Sequence, residues 1–202
     1  MHLLLKGIVI GFAIAAPVGP IGALCIRRTL ADGRLVGLAS GLGAAAADAI
    51  CGAMAAFGLT AVSAFLVGQR LWLGLVGGVF LLYLGVSTFV ARPASATLPP
   101  SPSGLLKAYG STFVLTLSNP VTILAFAAIF AGLGVTAGGD HGQAALLVLG
   151  VFLGSAAWWV ILSAGVSASR GWFNESGMRW VNRVAGIVIA AFGVGAALNA
   201  LR

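Results

Sequence analysis

Charge is what this 202-residue chain has least of: four carboxylates against eleven Lys and Arg, together 7% of the residues. A soluble domain carries roughly 25% charged residues, because it needs them to cover its surface. So sparse a set excludes a globule that faces water on all sides, and lipid has to solvate most of the surface. Cysteine is equally scarce. Cys25 and Cys51 both lie in apolar runs, which excludes a disulfide framework and fits small buried hydrophobes better than redox chemistry. His2 and His141 lack metal-ligand spacing, so neither a cofactor nor a metal centre is expected. A phosphate-binding P-loop is missing, which argues against a built-in ATP-driven pump. No catalytic constellation stands out, so the chain does not read as an enzyme.

What the chain has in quantity is apolar: 60% of its residues are hydrophobic and thirty are glycine. The glycines fall inside apolar stretches, where membrane helices use them for close contact. The formal net charge of +7 does not point to nucleic acid, because the basic residues sit in short gaps between hydrophobic runs. Residues 1–16 carry one Lys and an apolar stretch ending in Ala-Ile-Ala, like a secretory signal. The apolar run continues to Ile26, however, and the segment has a counterpart later in the chain, so it is expected to stay.

A membrane span needs about 20 apolar residues at 1.5 Å each. Six runs qualify: Leu3 to Ile26, Leu35 to Leu59, Leu71 to Ala91, Ala108 to Val135, Ala144 to Val166 and Trp180 to Leu201. A loop over 92–107, rich in Pro, Ser and Ala, divides the chain into repeat one (1–91) and repeat two (108–202) of a single membrane domain. Loops one, three and five hold Arg27, Arg28, Arg34, Arg92, Lys107, Arg170, Arg179 and Arg183; the other side holds Lys6, Arg70 and Arg202. The positive-inside rule then predicts both termini on the non-cytoplasmic side of the cell membrane.

The halves share a plan. Trp72, Val76, Gly78, Gly85 and Val86 coincide with Trp180, Val184, Gly186, Gly193 and Val194 at a constant offset of 108, and Pro20 matches Pro120 at 100. Three spans per half is an odd number, so the second half enters the membrane from the opposite side. The fold expected is an all-α integral membrane protein of two inverted three-helix repeats. Secondary transporters recur with that architecture and put their substrate near the midplane.

Three features carry a cost that packing alone does not explain. Pro17-Val18-Gly19-Pro20 removes two backbone donors within span one and should break or kink it. Free carbonyls at that depth are tolerated only against protein or in a water-filled cavity. Asn119 and Pro120 form the matching break in span four. Asp48 is the only carboxylate within any span; a central Asp costs about 2.5–3.5 kcal/mol to insert and needs a partner, water or a proton. Of the adjacent Trp158 and Trp159, about 100° apart on a helix, at most one should face the interior. The glycine pairs 37/41, 74/78 and 150/154 have the spacing of close helix contacts.

The sequence resembles the lysine and homoserine exporter (LysE/RhtB) family over its whole length. The resemblance rests on Gly11 through Pro17-Val18-Gly19-Pro20-Ile21-Gly22, on Arg27-Arg28 through Gly33, on the glycine-rich second span ending at Asp48, on Leu82-Tyr83-Leu84-Gly85, and on Leu117-Ser118-Asn119-Pro120. It implies an inner-membrane exporter of amino acids or related metabolites, coupled to protons, with Pro17, Gly19, Pro20, Asp48, Asn119 and Pro120 in the transport path. Two positions depart from the family pattern: Val18 interrupts the usual Pro-Gly-Pro, and Val121 stands where many members carry a Lys. The partners expected are a small-molecule substrate, protons and the lipid bilayer, and the sequence leaves room for a homodimer. Two other readings compete: a metal-ion exporter of similar architecture, which is short of ligands, and a thiol-disulfide relay, which should carry its cysteines at matching places in both halves.

Overall fold

The computed structural model describes residues 2–16, 19–57, 69–91, 101–119, 122–123, 125–126, 129, 141–169, 171 and 175–201. Among these the chain is entirely helical. Seven helices follow one another: α1 (His2–Ala15), α2 (Pro20–Asp32), α3 (Arg34–Ala56), α4 (Arg70–Val90), α5 (Pro102–Leu117), α6 (His141–Ala168) and α7 (Glu175–Ala200). Residues 122–123, 125–126 and 129 are helical as well. Three helices are long and apolar enough to cross a membrane: α3, α6 and, within α7, Ser176–Leu198. The first predicted span is interrupted. Its two pieces, α1 and α2, are inclined by 81° and count as one broken span or a re-entrant loop. Within α4, Leu75–Val90 is a shorter apolar helix.

Two boundaries differ from the sequence expectation, each for a local reason. Arg27 and Arg28 do not open a loop: α2 runs on to Asp32, and Gly33 alone separates it from α3. Gly33 has φ 100°, a left-handed conformation that side chains with a Cβ disfavour, so the turn shrinks to one residue. The loop over 92–107 is also shorter than expected, because α5 begins at Pro102. Ser101 caps it, its Oγ accepting the Gly104 N–H at 3.1 Å, and Pro102 supplies the preset φ favoured at the first helical position.

The helices pack in a small number of long contacts. The most extensive runs between α4 and α7, followed by α1 with α6, α3 with α5, and α3 with α6. Within its most apolar stretch α3 is 61% buried, against 28% for α7, so α3 is the central helix and α7 a peripheral one. Glycine makes the tightest crossings. A Cβ added at Gly78 would lie 2.8 Å from the Gly193 carbonyl oxygen, and one at Gly85 would lie 2.8 Å from that of Gly186. The repeat offset carries Gly78 to Gly186 and Gly85 to Gly193, so each of these contacts is the image of the other. Gly7 of α1 nests in the same way against Leu147 and Gly150 of α6, Gly11 against Val151, and Gly154 of α6 against Ile8.

Candidate functional site

The interruption of span one lies between Ala15, the last residue of α1, and Pro20, the first of α2. Pro17 and Val18 lie outside the described residues. Gly19 is the N-cap of α2, with φ −109° and ψ −161°, extended backbone open to any residue. Its carbonyl accepts from Ala23 at 3.0 Å. A Cβ on Gly19 would meet nothing within 4 Å, so open space adjoins the break.

Span four is interrupted in a comparable way. After α5 ends at Leu117, Asn119 donates its N–H to Thr116, and its carbonyl accepts from Thr122 at 3.1 Å and Ile123 at 3.4 Å. Gly19 with Ala23 and Asn119 with Ile123 are the same backbone bond 100 residues apart. Both residues are half-buried. Pro120, the remaining residue singled out there, lies outside the described residues.

Asp48 sits just past the middle of α3 and is 4% exposed. Ser155 of α6 donates to its Oδ2 at 2.8 Å. Among the described residues no Lys or Arg pairs with it; the ion pair found there joins Arg27 to Asp32 at 3.5 Å. Asp48 is therefore a buried carboxylate held, among the described residues, by one neutral donor, in the contact between α3 and α6. Toward the Arg34 end of that contact, Trp159 of α6 lies against Gly41 of α3, where a Cβ would come within 3.2 Å of its Cδ2. Trp159 is 4% exposed and clusters with Ala15, Cys25, Ala44 and Ala45, which brings it to the break in span one. Trp158 turns away and meets the Phe12 ring edge-on at 5.2 Å. The described pieces of both breaks, Gly19, Pro20 and Asn119, thus belong to the helices that flank α3, while Asp48 lies on α3 itself.

Beyond Trp159, at the Arg34 end of α3, two adjacent arginines fasten α2 to different neighbours. Arg28 donates from Nη1 to Ser40 Oγ at 2.8 Å, Thr112 Oγ1 at 3.1 Å and the Ala108 carbonyl at 3.1 Å, and from Nη2 to Ser111 Oγ at 2.9 Å. Arg27 donates from Nε to Asn182 Oδ1 at 3.4 Å, and Asn182 donates to the Ala91 carbonyl at 3.0 Å. Ser40 lies eight residues from Asp48 along α3, about 12 Å at the helical rise. Sequence reasoning missed Ser155 and the Arg28 cluster. Ser155 is 107 residues from Asp48, and no local pattern joins them. The usable signal is the four-residue spacing of Ser155, Trp159 and Ser163, which puts three polar groups on one face of an apolar helix.

Cys25 and Cys51 are buried and unpaired. Tyr83, in the resemblance motif of α4, is 67% exposed and points away from these groups.

Residues 12–200 match the sequence model of the family described as LysE type translocator. The chain is 29% identical over 198 residues to the "Putative amino acid efflux protein YcgF" of Bacillus subtilis (strain 168), covering 96% of this chain and 94% of that one. It is 30% identical over 174 residues to the "Uncharacterized membrane protein YahN" of Escherichia coli (strain K12), covering 83% of this chain and 76% of that one. No solved structure gives a significant match. Long apolar helices, a carboxylate buried between two of them, and a family match from residue 12 to residue 200 agree: this multi-pass membrane protein, a transporter and not an enzyme, belongs to the LysE type translocator family.

Proposed function

We propose that this chain is a secondary exporter of amino acids or related small metabolites, driven by proton antiport and working by alternating access. The observation that carries the reading is Asp48: nearly sealed from solvent and, among the described residues, without a cationic partner and held by the hydroxyl of Ser155 alone. A carboxyl in that setting has acceptor capacity to spare, and a proton or a substrate ammonium group satisfies it. The cargo class follows the name carried by the Bacillus subtilis relative.

Alternating access suits two inverted repeats of three spans each, and several contacts support that plan. The Gly78–Gly193 and Gly85–Gly186 contacts exchange under the repeat. So do the paired backbone bonds at Gly19 and Asn119. The packing of α1 on α6 and of α5 on α3 likewise exchanges when the first span maps onto the fourth and the fifth onto the second. In this reading both termini lie on the non-cytoplasmic side of the inner membrane. Pro17, Gly19, Pro20, Asn119 and Pro120 open the backbone to the substrate near the midplane, and Asp48 exchanges protons during the cycle.

The deciding experiment uses everted membrane vesicles loaded with radiolabelled amino acids under an imposed pH gradient. Asp48→Asn keeps the side-chain size and removes the titratable proton. It is expected to abolish gradient-driven movement while exchange of labelled for unlabelled substrate persists at a raised KM. Full gradient-driven transport by Asp48→Asn would rule out the proton role.

A further inference from the structure

Ser155, Trp159 and Ser163 stand at four-residue intervals on α6, so they share one face with about 6 Å between successive positions. All three are buried, at 0%, 4% and 1% exposure. Ser155 gives its hydrogen to Asp48. The Trp159 indole Nε1 and the Ser163 hydroxyl have no hydrogen-bond partner among the described residues. A serine within a helix ordinarily turns its hydroxyl back to the carbonyl four residues earlier. Thr29, Ser40, Thr112 and Thr116 all do so here, whereas Ser163 does not. A buried polar group left unpaired costs free energy that a protein normally avoids, and such groups concentrate where a ligand completes them.

The chemistry of the two groups narrows the ligand. An indole nitrogen only donates, so it cannot hold a cation or an ammonium group; a serine hydroxyl can donate beside it. Two donors on one helix face call for an acceptor with two lone-pair-bearing oxygens. The position narrows the ligand further. Trp159 packs with Ala15 at the end of α1, with Cys25 of α2 and with Ala44 and Ala45 of α3, so its ring borders the break in span one. One helical turn back along the same face, Ser155 holds Asp48, an acceptor suited to a positive group. An α-amino acid carries an ammonium and a carboxylate on adjacent atoms, and this face offers the matching acceptor and donors in order.

We propose that Trp159 Nε1–H and Ser163 Oγ–H bind the carboxylate of an exported α-amino acid, with Asp48 receiving its ammonium group. This assignment rests on the exporter reading and adds an orientation to it: the carboxylate points along α6 toward the Ser163 end. The exporter then selects for the substrate's free carboxylate by neutral hydrogen bonds.

The test uses the full chain in proteoliposomes with a pH gradient and a panel of radiolabelled L-amino acids, each competed by its own carboxamide. The wild type is expected to prefer the acid over the amide. Trp159→Phe and Ser163→Ala should each raise KM for the acid about tenfold with kcat little changed, and bring the acid-to-amide preference toward unity. Ser163→Thr, which keeps a hydroxyl, should retain the preference. Should Trp159→Phe fail to accumulate, the Ser163→Ala and Ser163→Thr pair and the wild-type preference decide the matter. Efflux by the wild type without acid-over-amide preference, or variants that keep wild-type KM and preference, would overturn this site and leave the exporter reading standing. A wild type that moves no amino acid of the panel would overturn the exporter reading and this site with it.

Discussion

Two helix crossings in this molecule face opposite physical problems. Between α4 and α7 the contact is made by glycines, Gly78 on Gly193 and Gly85 on Gly186, each of whose added Cβ would meet the facing backbone. Between α3 and α6 the contact carries a carboxylate, two serines and an indole N–H, two of these groups without partners. The first crossing is close, and its two glycine contacts map onto each other under the 108-residue offset. The second leaves polar groups unsatisfied in the most enclosed part of the protein. Lipid offers little hydrophobic drive for helix association, so close van der Waals contact must hold the bundle. The difference therefore separates a region that maintains the fold from one that is kept open to chemistry.

Substitutions can break that comparison or sharpen it. Gly85→Val should act most strongly, because its Cβ meets Ala190 N at 2.6 Å and the Gly186 carbonyl at 2.8 Å, and backbone cannot swing aside. A loss of about 3 kcal/mol is expected, read as little folded protein after detergent extraction and a lowered Tm for what remains. Arg28→Met comes next. It removes the donor that reaches Ser40, Ser111 and Thr112, while the Ala108 carbonyl keeps the Ser111 and Thr112 hydroxyls, for about 2 kcal/mol by thermal unfolding, and Arg28→Lys should restore only part because an ammonium cannot reproduce the fork. Gly41→Ala places a methyl against the Trp159 side chain, with Cγ at 2.7 Å. The nearest atom is the Trp159 Cβ, fixed to the α6 backbone and unable to swing aside, so stability should fall by about 1.5 kcal/mol while initial rates of efflux fall several-fold. Ser101→Ala, far from both crossings, removes a single exposed cap and should cost about 0.5 kcal/mol with efflux unchanged. A Gly85→Val protein that folds normally but does not transport would reverse the comparison.

Much of the first crossing was legible in the sequence. Trp72 and Trp180 start equivalent runs, and the glycines that follow at a fixed offset are the ones that meet. The reason is physical: close approach of two helix backbones requires glycine, and glycine in an apolar run is visible as such. Gly7 and Gly11 carry the same spacing as the Gly150–Gly154 pair, and the two pairs line one crossing: Gly7 meets Gly150, Gly11 meets Val151 and Gly154 meets Ile8. The second crossing was legible only on one side. Asp48 announces itself as a carboxylate in an apolar run, but the hydroxyl that holds it comes from another helix 107 residues away. Helical periodicity set Trp158 and Trp159 on different faces without saying which one lies inside. Arg27 and Arg28 were misplaced into a loop because charge in a membrane sequence suggests a boundary, whereas one glycine with φ 100° makes the turn six residues later than Arg27.

Those two arginines also differ in how the surrounding electrolyte reaches them. The bond of Arg27 to Asp32 joins opposite charges, and the Asp32 side chain is 39% exposed, so dissolved ions compete for both partners and weaken it as their concentration rises. Arg28 is bound by three hydroxyls and a carbonyl, all neutral, and mobile ions have no counter-charge there to shield. Neighbouring residues on one turn of α2 therefore hold one ion pair within the helix that brine loosens and one set of contacts to α3 and α5 that brine leaves alone.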